Sequence, residues 1–90
     1  MKIKYVGQFI KHFYRRIQPY PNLSYQFDER VKLFLNSPNH PILKSHKLKG
    51  AKKDRRAFSI TGDTGDIRVV YFTEGDFIYF VDIGTHNQVY

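Results

Sequence analysis

Ile67-Arg68-Val69-Val70-Tyr71-Phe72-Thr73-Glu74-Gly75-Asp76-Phe77-Ile78-Tyr79-Phe80-Val81-Asp82-Ile83 holds two runs rich in β-branched and aromatic residues. Such side chains fit a pleated, packed surface, so Ile67 to Thr73 and Phe77 to Ile83 read as strands. Glu74-Gly75-Asp76 between them reads as a hairpin turn. Both strands are apolar at nearly every position. Each is therefore expected to be covered on both sides for much of its length.

Upstream, Phe58 and Ile60 alternate with small or polar residues and suggest a further strand, followed by a loop over Thr61 to Gly65 with two glycines. Residues 44–56 form a polar, basic connector in which Leu48 is the only large apolar anchor. Before it the period changes. Val6, Ile10, Phe13 and Ile17 recur at helical spacing and predict an apolar stripe on a helix from about Val6 to Gln18. Pro19 and Pro21 end that helix. Asn22 or Ser24 is placed to cap a second one, with Phe27, Val31, Phe34 and Leu35 inward and an Asp28–Lys32 pair on its surface. Pro38 and Pro41 close it, and residues 2–5 read as a short first strand. The order predicts one α+β domain over residues 1–90. Its two N-terminal helices pack on one face of a twisted, mostly antiparallel sheet, and its other face is open to a site.

Ninety residues suffice for one core without staples, and 41% apolar with 17% aromatic content excludes a disordered chain. The absence of cysteine excludes disulfides, thiolate metal sites and cysteine nucleophiles, and it fits a reducing cytoplasm. No apolar run approaches the roughly 20 residues needed to span a bilayer, so no membrane role is expected. The net charge of +7 is segregated. Residues 1–56 hold 14 Lys/Arg and 3 Asp/Glu, whereas residues 57–90 hold 1 and 5. A one-sided positive charge points to a polyanionic partner.

Lys44, Lys47, Lys49, Lys52, Lys53, Arg55 and Arg56 crowd the connector and are the candidate phosphate contacts. Arg68 lies inside an apolar strand. It is expected either to pair with Asp82 or Asp66, or to reach the open face and clamp a phosphate. His12 and His40 read as inert surface groups. His46 and His86 flank the sheet, and Tyr90 follows His86 by four residues as a ring able to stack on a base. No HExxH, nucleophile elbow, P-loop or GxGxxG stands in the sequence, so neither a metal nor a nucleotide cofactor is expected. RNA supplies its own nucleophile, the 2′-hydroxyl. Cleavage then needs only a base, an acid and a cation, and the histidines, Arg68 and the lysines offer that set.

Three segments carry a resemblance: Leu43-Lys44-Ser45-His46-Lys47-Leu48-Lys49-Gly50, Asp66-Ile67-Arg68-Val69-Val70-Tyr71 and Ile83-Gly84-Thr85-His86-Asn87-Gln88-Val89-Tyr90. In this order and spacing they resemble the signature segments of RelE-superfamily toxins, the last being most similar to the YafQ branch. The resemblance implies a RelE-like microbial RNase fold and the toxin of a type II toxin–antitoxin system. It further implies an mRNA interferase that enters the ribosomal A site, cuts mRNA without metal, leaves a 2′,3′-cyclic phosphate and is held inactive by a cognate antitoxin. By the same resemblance the catalytic set is His46, Asp66, Arg68, His86 and Tyr90, with His86 as general acid and His46 or Asp66 as base. Ala57 and Ser59 stand where the YafQ branch carries an acid and a histidine, and Arg68 matches the RelE and YoeB branches instead. Two alternatives on the same fold are a non-enzymatic ParE-like gyrase poison and an inert nucleic-acid-binding module.

Overall fold

The structure is a computed structural model that describes residues 2–50, 54–61 and 66–90. Strand β1 (Lys2–Tyr5) leads into helices α1 (Gly7–Arg16) and α2 (Pro21–Asn36). A single 3₁₀ turn, Pro41–Leu43, is followed by β2 (His46–Lys47), β3 (Arg56–Ser59), β4 (Ile67–Glu74), β5 (Phe77–Thr85) and the one-turn helix α3 (His86–Val89). The five strands form one sheet in the order β1-β5-β4-β3-β2. Only β1 runs parallel to its neighbour; the other three pairings are antiparallel. The α+β architecture is therefore the one expected, with the first strand added at the far edge beside the last.

The β4–β5 hairpin closes through Gly75-Asp76, with Glu74 paired to Phe77. Gly75 has φ +60, which a glycine adopts without steric cost at the first central position of a two-residue hairpin turn. The pairing shifts once. Val70 faces Asp82 while Tyr71 faces Phe80, so Val81 is the extra residue of a β-bulge.

The helices bury one face of the sheet. Phe9, Ile17, Phe27, Phe34, Leu43, Phe58, Ile60, Val69, Tyr71, Ile78, Phe80 and Ile83 form the main core. Its centre is aromatic: Phe34 stacks on Phe58 at 4.4 Å between ring centroids, and Phe80 meets Phe9, Phe34 and Phe58 within 6.4 Å. Burying each such ring contributes about 1.5–3 kcal/mol.

Both helical stripes differ from the expected ones. In α1 the buried side chain is Phe9, with Phe13 and Ile17 beside it, whereas Val6 and Ile10 are exposed. The reason is where α1 lies. Beyond the end of β1 the helix runs along the free edge of β5, so Gln8, His12 and Arg16, four apart, face that strand. The Gln8 Nε2 and His12 Nδ1 groups meet the Asp82 carboxylate at 3.0 and 2.6 Å, and Arg16 Nη1 donates to the Ile83 carbonyl at 3.0 Å. This turns Phe9 inward and Ile10 out. It also settles two side chains otherwise than expected. His12 is not an inert surface group, and the partners of Asp82 are on α1 (the His12 hydrogen bond, and an ion pair with Arg16 at 3.7 Å) rather than Arg68. Helix α2 begins at Pro21 without a side-chain cap, its Leu35 is exposed, and its surface pair is Glu29–Lys32, not Asp28–Lys32. Among the described residues no helix is long and apolar enough to cross a membrane.

Candidate active site

The opposite face of the sheet carries a smaller buried cluster of Leu48, Ala57, Val70, Val81 and Val89. Side chains alternate along a strand, so His46 shares this face with Leu48, and Arg68 shares it with Val70. Helix α3 lies on the same face, anchored by Val89. Its first turn closes as a capping box: the Thr85 side chain accepts from the backbone of Gln88, and Gln88 Oε1 accepts from Thr85 N–H at 2.8 Å. The T-x-x-Q pattern Thr85–Gln88 is the sequence signal for this turn. One helical turn puts residues four apart on one side, and the His86 and Tyr90 rings meet edge-on at 4.5 Å.

Tyr90 is the hub. Its ring receives the Arg68 guanidinium at 5.6 Å from the centroid, and its hydroxyl lies 3.1 Å from His46 Nε2. The other nitrogen of His46, Nδ1, is 3.0 Å from the Lys44 carbonyl. A carbonyl only accepts, so Nδ1 carries the proton. In the neutral imidazole Nε2 is then a bare lone pair that accepts from the Tyr90 phenol. Lys44 presents that carbonyl from a left-handed backbone, φ 49, at the exit of the 3₁₀ turn, a conformation that costs a non-glycine residue about 1–2 kcal/mol. Burial pushes the Tyr90 phenol above its ordinary range, partly offset by the Arg68 charge, so the ring stays protonated at neutral pH.

Gly84, opposite Arg68 on β5, holds this turn in place. A Cβ there would stand 2.6 Å from Gln88 Oε1 and 2.7 Å from Arg16 Nη1. Its lack of a side chain lets the α3 cap and the α1 guanidinium converge on one spot. Sequence reading passed over Gly84, Gln88 and Arg16.

The structure thus brings His46, Arg68, His86 and Tyr90 together. Asp66 is exposed just before β4, two residues from Arg68. Lys44, Lys47 and Lys49 are exposed around the β2 segment. Arg56 lies apart from the cluster: it alternates with Ala57, lines a cavity of about 490 Å³ with Phe34 and Tyr71, and donates to Ser45 Oγ at 3.4 Å. Lys52, Lys53 and most of the expected Thr61–Gly65 loop lie outside the described residues. Ala57 and Ser59 are fully buried beneath the site, at 0% and 2% exposure, and present no acid or imidazole to it. Among the described residues no three His, Asp or Glu side chains are grouped to hold a metal ion.

Comparison with solved structures places this architecture. YafQ from E. coli strain BL21(DE3) superposes with a TM-score of 0.80 at 22% identity, covering 99% of this chain and 97% of that one. The chain has the YafQ-type toxin fold. YafQ in the E. coli DinJ–YafQ toxin–antitoxin complex matches with a TM-score of 0.78 at 22% identity, over 99% and 96% of the two chains. A YoeB/ParE toxin from Agrobacterium tumefaciens matches with a TM-score of 0.72 at 16% identity, over 96% and 99%. No family model matches the sequence, and neither does any curated protein.

Proposed function

We propose that the chain is the toxin of a type II toxin–antitoxin pair, a metal-independent endoribonuclease that cuts mRNA in the A site of cytoplasmic ribosomes. The observation that carries this reading is the convergence of two imidazoles and a guanidinium on the Tyr90 ring, on the sheet face away from the helices. His46 Nε2, on giving up its hydrogen bond from the Tyr90 phenol to the entering RNA, takes the proton of the 2′-hydroxyl, whose oxygen attacks phosphorus as the bond to the 5′-oxygen breaks. His86 returns a proton to that leaving oxygen, giving a 2′,3′-cyclic phosphate and a free 5′-hydroxyl. Arg68 stabilises the charge that builds on the phosphoryl oxygens, and the protonated Tyr90 holds the two imidazoles apart and oriented. Asp66 is the second candidate for the base. Exposed Lys44, Lys47 and Lys49 and half-buried Arg55 supply cations for flanking phosphates. The DinJ–YafQ assembly supports a protein antitoxin as the partner of this fold.

Purified, antitoxin-free chain added to translating ribosomes should cut the message and leave cyclic-phosphate ends. His86→Ala should slow single-turnover cleavage at least ~10-fold, and by ~10²-fold if it acts as the full general acid, with ribosome binding kept. Intact message and unimpaired translation with folded protein would sink the proposal. Inhibition of gyrase supercoiling without RNA cleavage would favour the ParE-like reading instead.

A further inference from the structure

The same open face carries a second feature, at the hairpin end of β4 and β5. Phe72 and Tyr79, paired across the two strands, stack with centroids 4.7 Å apart and planes within 10°. The Arg55 guanidinium lies 5.4 Å from the Phe72 ring on one side. On the other, the Lys4 ammonium sits 4.2 Å from the Phe77 ring and 5.9 Å from that of Tyr79. The rings are only half-buried. A groove of about 670 Å³ runs beside them, floored by Val70, Phe72, Val81 and Val89. Its lining takes in Phe72 of the aromatic pair and Val89, the residue before Tyr90. Its acids are Asp54 at the rim and Asp82, which is engaged by His12, Gln8 and Arg16.

We infer that this strip is a subsite for the single-stranded RNA flanking the cut, with a base on the Phe72–Tyr79 pair and phosphates on Arg55 and Lys4. The inference rests on the ribonuclease reading and extends it. Aromatic rings on adjacent central strands, flanked by cations and facing away from a helical layer, are a chemistry that bases recognise by stacking without sequence preference. Arg68 and Phe72 lie on one strand and one face, four residues apart, so the subsite is ~13 Å from the clamp. At a stacked rise of ~3.4 Å per nucleotide that distance is ~4 nucleotides. The charge balance agrees: the chain up to residue 56, which includes Lys4 and Arg55, carries 14 of its 15 basic residues.

The test uses 2′-O-methyl oligonucleotides, which present no nucleophile, of about 2 and about 12 nucleotides. Wild-type protein should bind the longer one more tightly. The double variant Phe72→Leu/Tyr79→Leu, which keeps an apolar floor, should lose roughly tenfold on the longer oligonucleotide and stay within about twofold on the shorter. Arg55→Ala and Lys4→Ala, surface changes that leave the core intact, should each flatten the log–log salt dependence for the longer one by ~0.7. Equal affinities of wild type and all variants at both lengths would overturn the subsite while leaving cleavage, and so the ribonuclease reading, standing. Failure of the wild type to bind either oligonucleotide or to cut message would overturn both. Ring-dependent binding of a polyglutamate peptide in place of RNA would assign the strip to a protein partner and overturn the inference.

Discussion

On the helix-covered face of the sheet, twelve of the described residues, five of them phenylalanines, interlock in one buried cluster. On the opposite face the buried cluster is five residues, and the remaining surface goes to imidazoles, a guanidinium and half-exposed rings. The same strands serve both. In β4, Val69 and Tyr71 point into the core while Arg68, Val70 and Phe72 point away from it. An alternating strand thus lets one face hold the fold while the other keeps polar groups near water. The difference shows that stability and chemistry can be changed separately here, face by face.

The comparison is tested most severely in the core. Phe58→Ala removes a ring with 0% exposure that stacks on Phe34, and it should cost about 3–5 kcal/mol of stability. Urea unfolding would show a lower midpoint. A loss below about 1 kcal/mol would mean that the two faces share the load, contrary to the division drawn here.

That division was partly legible in the sequence. The hairpin followed from Ile67 to Ile83, because β-branched runs around a glycine turn admit few other structures, and the open face followed from the order of helices and strands. The face of α1 was not legible. Val6, Ile10, Phe13 and Ile17 and the actual set Phe9, Phe13 and Ile17 are both helical stripes, and the choice between them depends on a tertiary partner, the free edge of β5. Asp82 shows the same limit. Local sequence offers Arg68 as its mate, but the bulge at Val81 and the α1 packing bring His12, Gln8 and Arg16 instead. The bottom of the site had a signal that was passed over, the Thr85–Gln88 capping box and the glycine before it.

Gly84 is where the two faces touch, and it offers a sharper test. Gly84→Ala pushes a methyl group against Gln88 Oε1 and Arg16 Nη1, both flexible ends that are already hydrogen-bonded. They yield by giving up those bonds, at about 1–2 kcal/mol in stability. Because α3 carries His86 and Tyr90, message cleavage should fall further than RNA binding. A double-mutant cycle with Gln88→Ala checks the route: if the methyl acts by displacing the cap, the two costs overlap and the double variant is barely worse than Gln88→Ala. Full additivity would place the damage elsewhere.

The smallest expected effect separates the faces by pH. Burial raises the Tyr90 phenol, and Arg68 opposes that rise without cancelling it. The folded state therefore holds this proton to higher pH than the unfolded chain does. The stabilisation is complete below the unfolded value of about 10 and disappears as pH climbs through the raised folded one. Other tyrosines and the lysines also titrate there, so the informative quantity is the difference between wild type and Tyr90→Phe. Phenylalanine keeps the ring against His86 and Arg68 and loses only the hydroxyl contact to His46. Urea midpoints from about pH 9 to about pH 11 should fall more steeply for the wild type, because only it has this proton to lose. Parallel curves would mean that the phenol is as free on the folded open face as in the unfolded chain. The His46–Tyr90 contact would then not orient the imidazole.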